Sequence, residues 1–218
     1  MQFFFPDTPD LPLPPGHRFP AGKYRMLRNK IVRERILEGW HLTPSPLAEP
    51  TDLERAHSRD YVCSIIGGAV ASDIQRRIGL PWSEILALRS LATVGGAIAA
   101  ARQALCDGLS GQLAGGTHHA HRDFGSGYCV FNDLAVAALT VIAEGRAGRV
   151  AIVDLDVHQG DGNAAILSDN EQVFVVSLHA EKNFPFRKIP SNLDVGLPDG
   201  TGDTCYLRAL AEALDAVA

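Results

Sequence analysis

The stretch VDLDVHQGDG, Val153 to Gly162, begins as an apolar strand and then carries Asp154, Asp156, His158 and Asp161 within eight residues. In extended backbone, residues two apart project to the same side, so Asp154, Asp156 and His158 point together if that conformation persists. A carboxylate and an imidazole at this spacing are a donor pair for a borderline cation such as zinc. The position suits a ligand, because open α/β sheets bind ligands beyond the carboxyl ends of their strands. Two other readings compete. Gly160 to Ala165 spells GDGNAA and matches GxGxxA after a strand, a pattern in which bare amides approach a pyrophosphate. Asp154, Asp156 and Asp161 would repel that anion. Alternatively, Asp161 caps the next helix and His158 is a hydrogen-bonded loop histidine. Several unpaired carboxylates at a buried strand end are costly, which weighs against that reading for the whole cluster.

Working outward, Arg149 to Leu155 is short, apolar and near glycine, which predicts a central parallel strand. The chain is expected to be helical from Asn163, and Gln172 to Leu178 repeats the strand pattern. Asn132 can cap a helix that runs to Glu144 before Gly145. Strand–helix–strand alternation implies an α/β fold with a parallel sheet. A long helix is expected over Ser83 to Cys106. Its apolar run is broken by Arg89, Arg102 and Gln103, so it reads as a buried helix and not a membrane span. Towards the N-terminus, Phe3 to Phe5 suggest a short strand and Pro6 to Pro20 an extended loop. Lys23 to Glu38 reads as a helix with Tyr24, Leu27, Ile31 and Leu37 near one face, ended by Gly39. TDLE at Thr51 to Glu54 has capping-box spacing. Asp203 to Ala218 reads as a last helix. No repeat or domain boundary stands out.

The chain has 218 residues, 46% hydrophobic and 21% charged, which is ample for one domain with a core. Its net charge of -5, without clustered Lys or Arg, argues against direct nucleic-acid binding. Cys63, Cys106, Cys129 and Cys205 are scattered with no CxxC pair, so neither a disulfide framework nor a Cys-type zinc site is expected. That usage fits a reducing, cytoplasmic setting. The start, MQFFFPDTPDLP, lacks the basic and apolar regions of a signal peptide, and no membrane partner is expected.

A second stretch, GGTHHAHRDFGSGYCVFND from Gly115 to Asp133, places His118, His119 and His121 in a glycine-rich loop. Glycines let backbone approach closely, and histidines titrate near neutrality. A water-activating site needs space for substrate and a base of suitable pKa. Two adjacent histidines here, and two spare carboxylates in the first motif, suggest two His–Asp dyads.

Together these motifs resemble the histone deacetylase family, including its bacterial acetoin-utilisation-type and class IV-like members. The resemblance is carried by GGTHHA at Gly115–Ala120, GSGYCVFND at Gly125–Asp133, VDLDVHQGDG at Val153–Gly162 and VVSLH at Val175–His179. GHRFPAGKY at Gly16–Tyr24 and HSRDYV at His57–Val62 add to it. It implies an α/β, three-layer arginase/deacetylase-like fold around a central parallel sheet, with one deacetylase-like domain over residues 1–218. It also implies zinc-dependent hydrolysis of an N-acetyl amide on an acetylated protein or an acetylated small amine.

By position, the resemblance makes Asp156 and His158 zinc ligands and His118 and His119 the active-site pair, oriented by Asp154 and Asp161 respectively. His119 would be the general base and His118 chiefly electrostatic. Gly127, Tyr128 and Phe184 would line the acyl-lysine tunnel. Asp154, Asp156, His158, Ser177 and Leu178 match a monovalent-cation site, expected to take K+. Gln159 stands where many eukaryotic members have a second histidine. The family's third zinc ligand, an Asp in a segment like AGVDPHEDDRLG, and its Tyr in a GGGY loop have no counterpart in these residues. Asp194, Asp199 and Asp203 match loop positions. The expectation is therefore a fold lacking its C-terminal strands and helices. A second reading follows: a catalytically inactive module that binds an acylated ligand or a partner. A ureohydrolase of the related arginase fold would need DxHxD, and Asp156 to Asp161 is one residue too long. Oligomeric state is left open.

Overall fold

The aromatic run near the N-terminus forms the first strand of a computed structural model that describes residues 1–217. In chain order the elements are β1 (Gln2–Phe5), α1 (Lys23–Arg33), β2 (His41–Pro44), α2 (Pro50–Leu53), α3 (Arg59–Gly67), α4 (Ser72–Ile78) and α5 (Glu84–Asp107). There follow β3 (Gly111–Gln112), α6 (Asp133–Ala143), β4 (Val150–Asp154), α7 (Asp161–Leu167), β5 (Val173–Ala180), β6 (Leu193–Leu197) and α8 (Asp203–Asp215). Ala218, the last residue of the expected final helix, lies outside the described residues.

Among the described residues the strands make two parallel sheets, ordered β2-β1-β3 and β4-β5-β6. Parallel neighbours need a crossover, and α7 supplies the one between β4 and β5. Register sets the site. Asp154 at the end of β4 lies opposite Ser177 of β5, and Ser177 lies opposite Asp194 of β6.

The main core joins Leu86, Val94 and Ile98 of α5 to Val136 and Ala137 of α6, with Phe131, Leu53 and Ile65 fully buried around them. The ends of α5 and α6 follow local chemistry. Ser83 Oγ accepts from the Leu86 N–H, and Asn132 Oδ1 accepts from the Ala135 N–H, each tying down one orphan donor. By length and composition alone α5 could cross a membrane; half of its apolar window is buried in the fold. A smaller core unites Val176 and Leu178 of β5 with Ala213 of α8.

Four sequence expectations need correction. Helix α1 stops at Arg33 and not Glu38; Arg35 takes a left-handed φ of 51°. Only Ile31 of α1 is buried and Ile36 is exposed, so a further helical turn would bury little apolar surface. Helix α2 begins with Pro50 at its first position after Glu49, which places Thr51 inside the helix and not at its cap. Among the described residues, strand β4 stands at the edge of its three-stranded sheet, paired with β5, which is the central one. Beside the other edge of β4 runs a groove of about 400 Å³, lined by Ala97 and Ala101 of α5 and Ala137 and Ala138 of α6. Finally, Asp194 lies in strand β6 and not in a loop.

Candidate active site

The histidine loop is pinned to the start of α6. Asp133, its first residue, accepts from the Gly116 N–H (3.1 Å), the Thr117 N–H (2.7 Å) and the Thr117 hydroxyl (2.6 Å). Burial pushes the Asp133 carboxyl up in spite of these bonds. Asn132 donates from Nδ2 to the Ala120 carbonyl (3.2 Å) and to Asn163 Oδ1 (2.9 Å). The loop is thus clamped before and after His118 and His119.

His57 braces the same place from below. Its Nε2 accepts from the Asn132 N–H (2.9 Å), which leaves Nδ1 as the donor to the His121 carbonyl (2.9 Å). Burial lowers the His57 pKa to about 4, against the pull of its backbone acceptors. Below the ordinary value of 6.5 the unfolded chain therefore takes up a proton that the folded chain refuses until about pH 4. Stability is expected to fall as the pH drops through that window, by on the order of 3 kcal/mol at about 1.4 kcal/mol per pH unit. Urea titrations of wild type and His57→Gln between those two pH values check this, and the variant should show the flatter dependence. Equal slopes would clear His57 of the effect.

The structure brings His118, His119, Asp154 and Asp161 together, all buried. His118 Nδ1 lies 2.5 Å from Asp154 Oδ2, and His119 Nδ1 lies 2.6 Å from Asp161 Oδ1. The two rings are 4.1 Å apart between centroids. Gly162 allows this approach. A Cβ there would sit 2.4 Å from the Ala120 carbonyl oxygen and 2.5 Å from that of His118, so only glycine lets α7 reach the loop. The Asn163 N–H then donates to the His118 carbonyl (3.2 Å).

The two histidines titrate in opposite directions. Burial opposes charge on His118, but the hydrogen bond and charge of Asp154, with Asp156 and Asp161 nearby, raise its pKa. For His119, burial dominates the bond it gives to Asp161, and the charges of His118 and His158 push the same way as burial, so its pKa falls. Burial would also raise Asp161, yet hydrogen bonds from His119 and then His121 hold it down at about 2.

Asp156 and His158 lie just outside these dyads, half exposed, with Asp156 Oδ1 2.9 Å from His158 Nδ1. Asp156 Oδ1 is also 3.9 Å from His118 Nε2. Burial raises Asp156, but the His158 N–H and the nearby imidazoles outweigh it and lower its pKa. Among the described residues, no three or more His, Cys, Asp or Glu side chains are grouped to hold a metal ion. One carboxylate oxygen and one imidazole nitrogen facing each other fit two of the protein donors that zinc takes, and a catalytic zinc usually has three.

Phe184 stands edge-on to His119, 4.9 Å between centroids, and 6.0 Å from His158. Gly127, at φ 55°, packs its backbone against both: a Cβ there would lie 2.7 Å from His119 Cδ2 and 3.3 Å from the Phe184 ring. The Tyr128 ring is partnered instead by Phe19 at 5.3 Å and His17 at 6.2 Å. Ser177 Oγ lies 3.1 Å from His179 Nδ1, and the buried Leu178 side chain packs towards α8, so only its backbone remains for an ion.

Two positioning contacts had no role in the sequence reading. Gln159 is fully buried and donates to the Ile189 carbonyl (2.8 Å) and to Asp194 (2.7 Å), while its Oε1 accepts from the Ile189 N–H (3.1 Å). It thereby ties the Asp156–His158 turn to the segment that follows Phe184. His121 was visible as a third loop histidine, but nothing in its spacing pointed to Asp161.

This is an α/β protein with paired imidazole–carboxylate groups at the carboxyl ends of parallel strands. The sequence profile of the histone deacetylase domain matches residues 17–218, and the chain belongs to the histone deacetylase family. An uncharacterized protein of Picosynechococcus sp. is 46% identical over 204 residues, covering 94% of this chain and 68% of that protein. Histone deacetylase 2 of Arabidopsis thaliana is 28% identical over 218 residues, covering 91% of this chain and 54% of its own length. The crystal structure of an HDAC homolog from Aquifex aeolicus has a TM-score of 0.78 at 24% identity, covering 99% of this chain and 64% of that one. The fold is thus of the deacetylase type. The chain spans between 54% and 68% of the length of these relatives.

Proposed function

We propose that this chain carries the acid–base part of a zinc-dependent deacetylase that hydrolyses an N-acetyl amide on an acetylated protein or small amine. The observation that supports it is the pair of adjacent histidines, each held through Nδ1 by its own carboxylate, with pKa values displaced in opposite directions. With Nδ1–H given to Asp161, His119 keeps Nε2 free as a base. That nitrogen takes a proton from the attacking water and passes it to the leaving amine. His118 is more readily cationic and contributes positive charge beside the reacting carbonyl. Asp156 and His158 would hold the zinc ion, which when bound supplies Lewis acidity to the acyl group. Gly127, Phe184 and Tyr128 would flank the aliphatic stem of the substrate. Asp154, Ser177 and the Leu178 backbone, with Asp156 and His158, would hold K+. We place the protein in the cytoplasm, a reading that its four free cysteines support.

A second reading, a binding module without turnover, is favoured by one observation: among the described residues, Asp156 and His158 offer two donors where a catalytic zinc usually has three. Zinc and hydroxamate titrations, followed by acetate release from an acetyl-lysine peptide, separate the two. Turnover that a chelator abolishes supports the enzyme. Saturable hydroxamate binding with no acetate supports the module. His158→Ala and Asp156→Asn are each expected to weaken zinc by more than the roughly 10–100-fold lost with an outer-shell partner. Unchanged zinc affinity in both would remove these residues from the metal site.

A further inference from the structure

His121 takes no part in the chemistry proposed above, yet its side chain is held both by a hydrogen bond and by an aromatic stack. Its Nε2 lies 3.0 Å from Asp161 Oδ2, the oxygen that His119 does not use. Its backbone is held at both ends, the N–H by the Phe124 carbonyl (2.8 Å) and the carbonyl by His57 Nδ1 (2.9 Å). Its ring stacks on Phe124, 4.4 Å between centroids at 16°, and the Arg77 guanidinium lies 4.8 Å from the same Phe124 ring.

We propose that His121 is a positioning residue whose Nε2–H, donated to Asp161 Oδ2, fixes the rotation of that carboxylate and so keeps Oδ1 on His119 Nδ1. This rests on the proposed role of His119. The physical need is plain. The terminal torsion of an aspartate is broad, so one hydrogen bond leaves the carboxylate plane loosely set. Bonds on both oxygens fix it. The sister pair solves the same problem with backbone: the second oxygen of Asp154 accepts from the Asp156 N–H (3.1 Å). For Asp161 the second bond comes from a side chain, which makes it open to substitution. Gly127 and Phe184 press on the other side of the His119 ring, so a drift of Asp161 would leave that ring clamped but wrongly bonded.

The test uses the whole chain labelled with 15N-histidine, read by two-bond proton–nitrogen correlation. In the wild type, His121 is expected to carry a proton on Nε2 and His119 on Nδ1. His121→Phe keeps a stacking ring and loses the donor, whereas His121→Gln keeps an N–H donor. Solvent exchange of the His119 Nδ1 proton should be about tenfold faster in the Phe variant, as for one lost bond to a charged group, and return towards wild type in the Gln variant. Unchanged exchange in a folded Phe variant, or a loss that Gln fails to rescue, overturns the proposal. Should the Phe variant not fold, the wild-type spectrum decides: a His121 protonated on Nδ1 alone overturns it. None of these readings needs metal or turnover. They therefore fail separately from the deacetylase reading, which acetate release judges.

Discussion

Replacing His119 with glutamine is expected to lower zinc-supported acetate release by about 10²–10⁴-fold, the range for losing a general acid–base group. Glutamine fills the space beside Phe184 but has no nitrogen that can take and return a proton. His119 suits the task because it is buried, its Nδ1 is engaged by Asp161, and its pKa is lowered by burial and by the neighbouring imidazoles. A lowered pKa keeps the base free of a proton further into acid. The acid limb of the rate profile should therefore lie below 6.5, the ordinary histidine value. His118→Gln should cost less, since a raised pKa leaves more of His118 already protonated and unable to accept the water's proton. Should the His118 variant lose more, the two roles would be exchanged. Zinc affinity of the His119 variant, measured by titration, should stay close to wild type, which separates lost proton transfer from a lost metal.

Gly162→Ala is expected to destabilise the chain by about 3 kcal/mol, although alanine is the better helix former. Two effects oppose each other. Within α7 the new methyl would favour helix by at most about 1 kcal/mol. Against that, it would stand 2.4 Å and 2.5 Å from two backbone carbonyl oxygens, of Ala120 and His118. No rotamer change relieves a clash with backbone, so α7 or the histidine loop must move. Either movement pulls Asp161 away from His119, and acetate release should fall with stability. Urea denaturation measures the first quantity directly. A variant as stable as wild type would mean that loop and helix are less tightly opposed than their contacts indicate.

The sequence made legible whatever was written in adjacent letters. Asn132 announced the start of α6 because capping is a local bond, made within three residues. The strand at Val150–Asp154 showed itself by its apolar run, although its place beside β5 at the edge of the described sheet did not, since strand order depends on what lies alongside. The end of α1 was misplaced for the same reason: propensity continued, but the core did not. At the site, the letters named His118, His119, Asp154 and Asp161, and their motifs meet across 36 and 42 residues. The Gln159–Asp194 bond, the His57–Asn132 bond and the His121–Asp161 bond stayed hidden. Glutamine, asparagine and a third histidine carry no spacing signal, and their partners are 35, 75 and 40 residues away.

Asn132 has a consequence beyond capping. One side chain closes the first turn of α6, holds the Ala120 carbonyl after the histidine pair, and bonds Asn163 in α7. Its own N–H is taken by His57. The histidine loop therefore cannot open by a local fluctuation of a glycine-rich segment. To release it, the chain must also unfasten the two helices that share this residue. The histidine pair thus belongs to the same cooperative unit as the core, and its resistance to opening is set by the buried helices rather than by the loop that carries it.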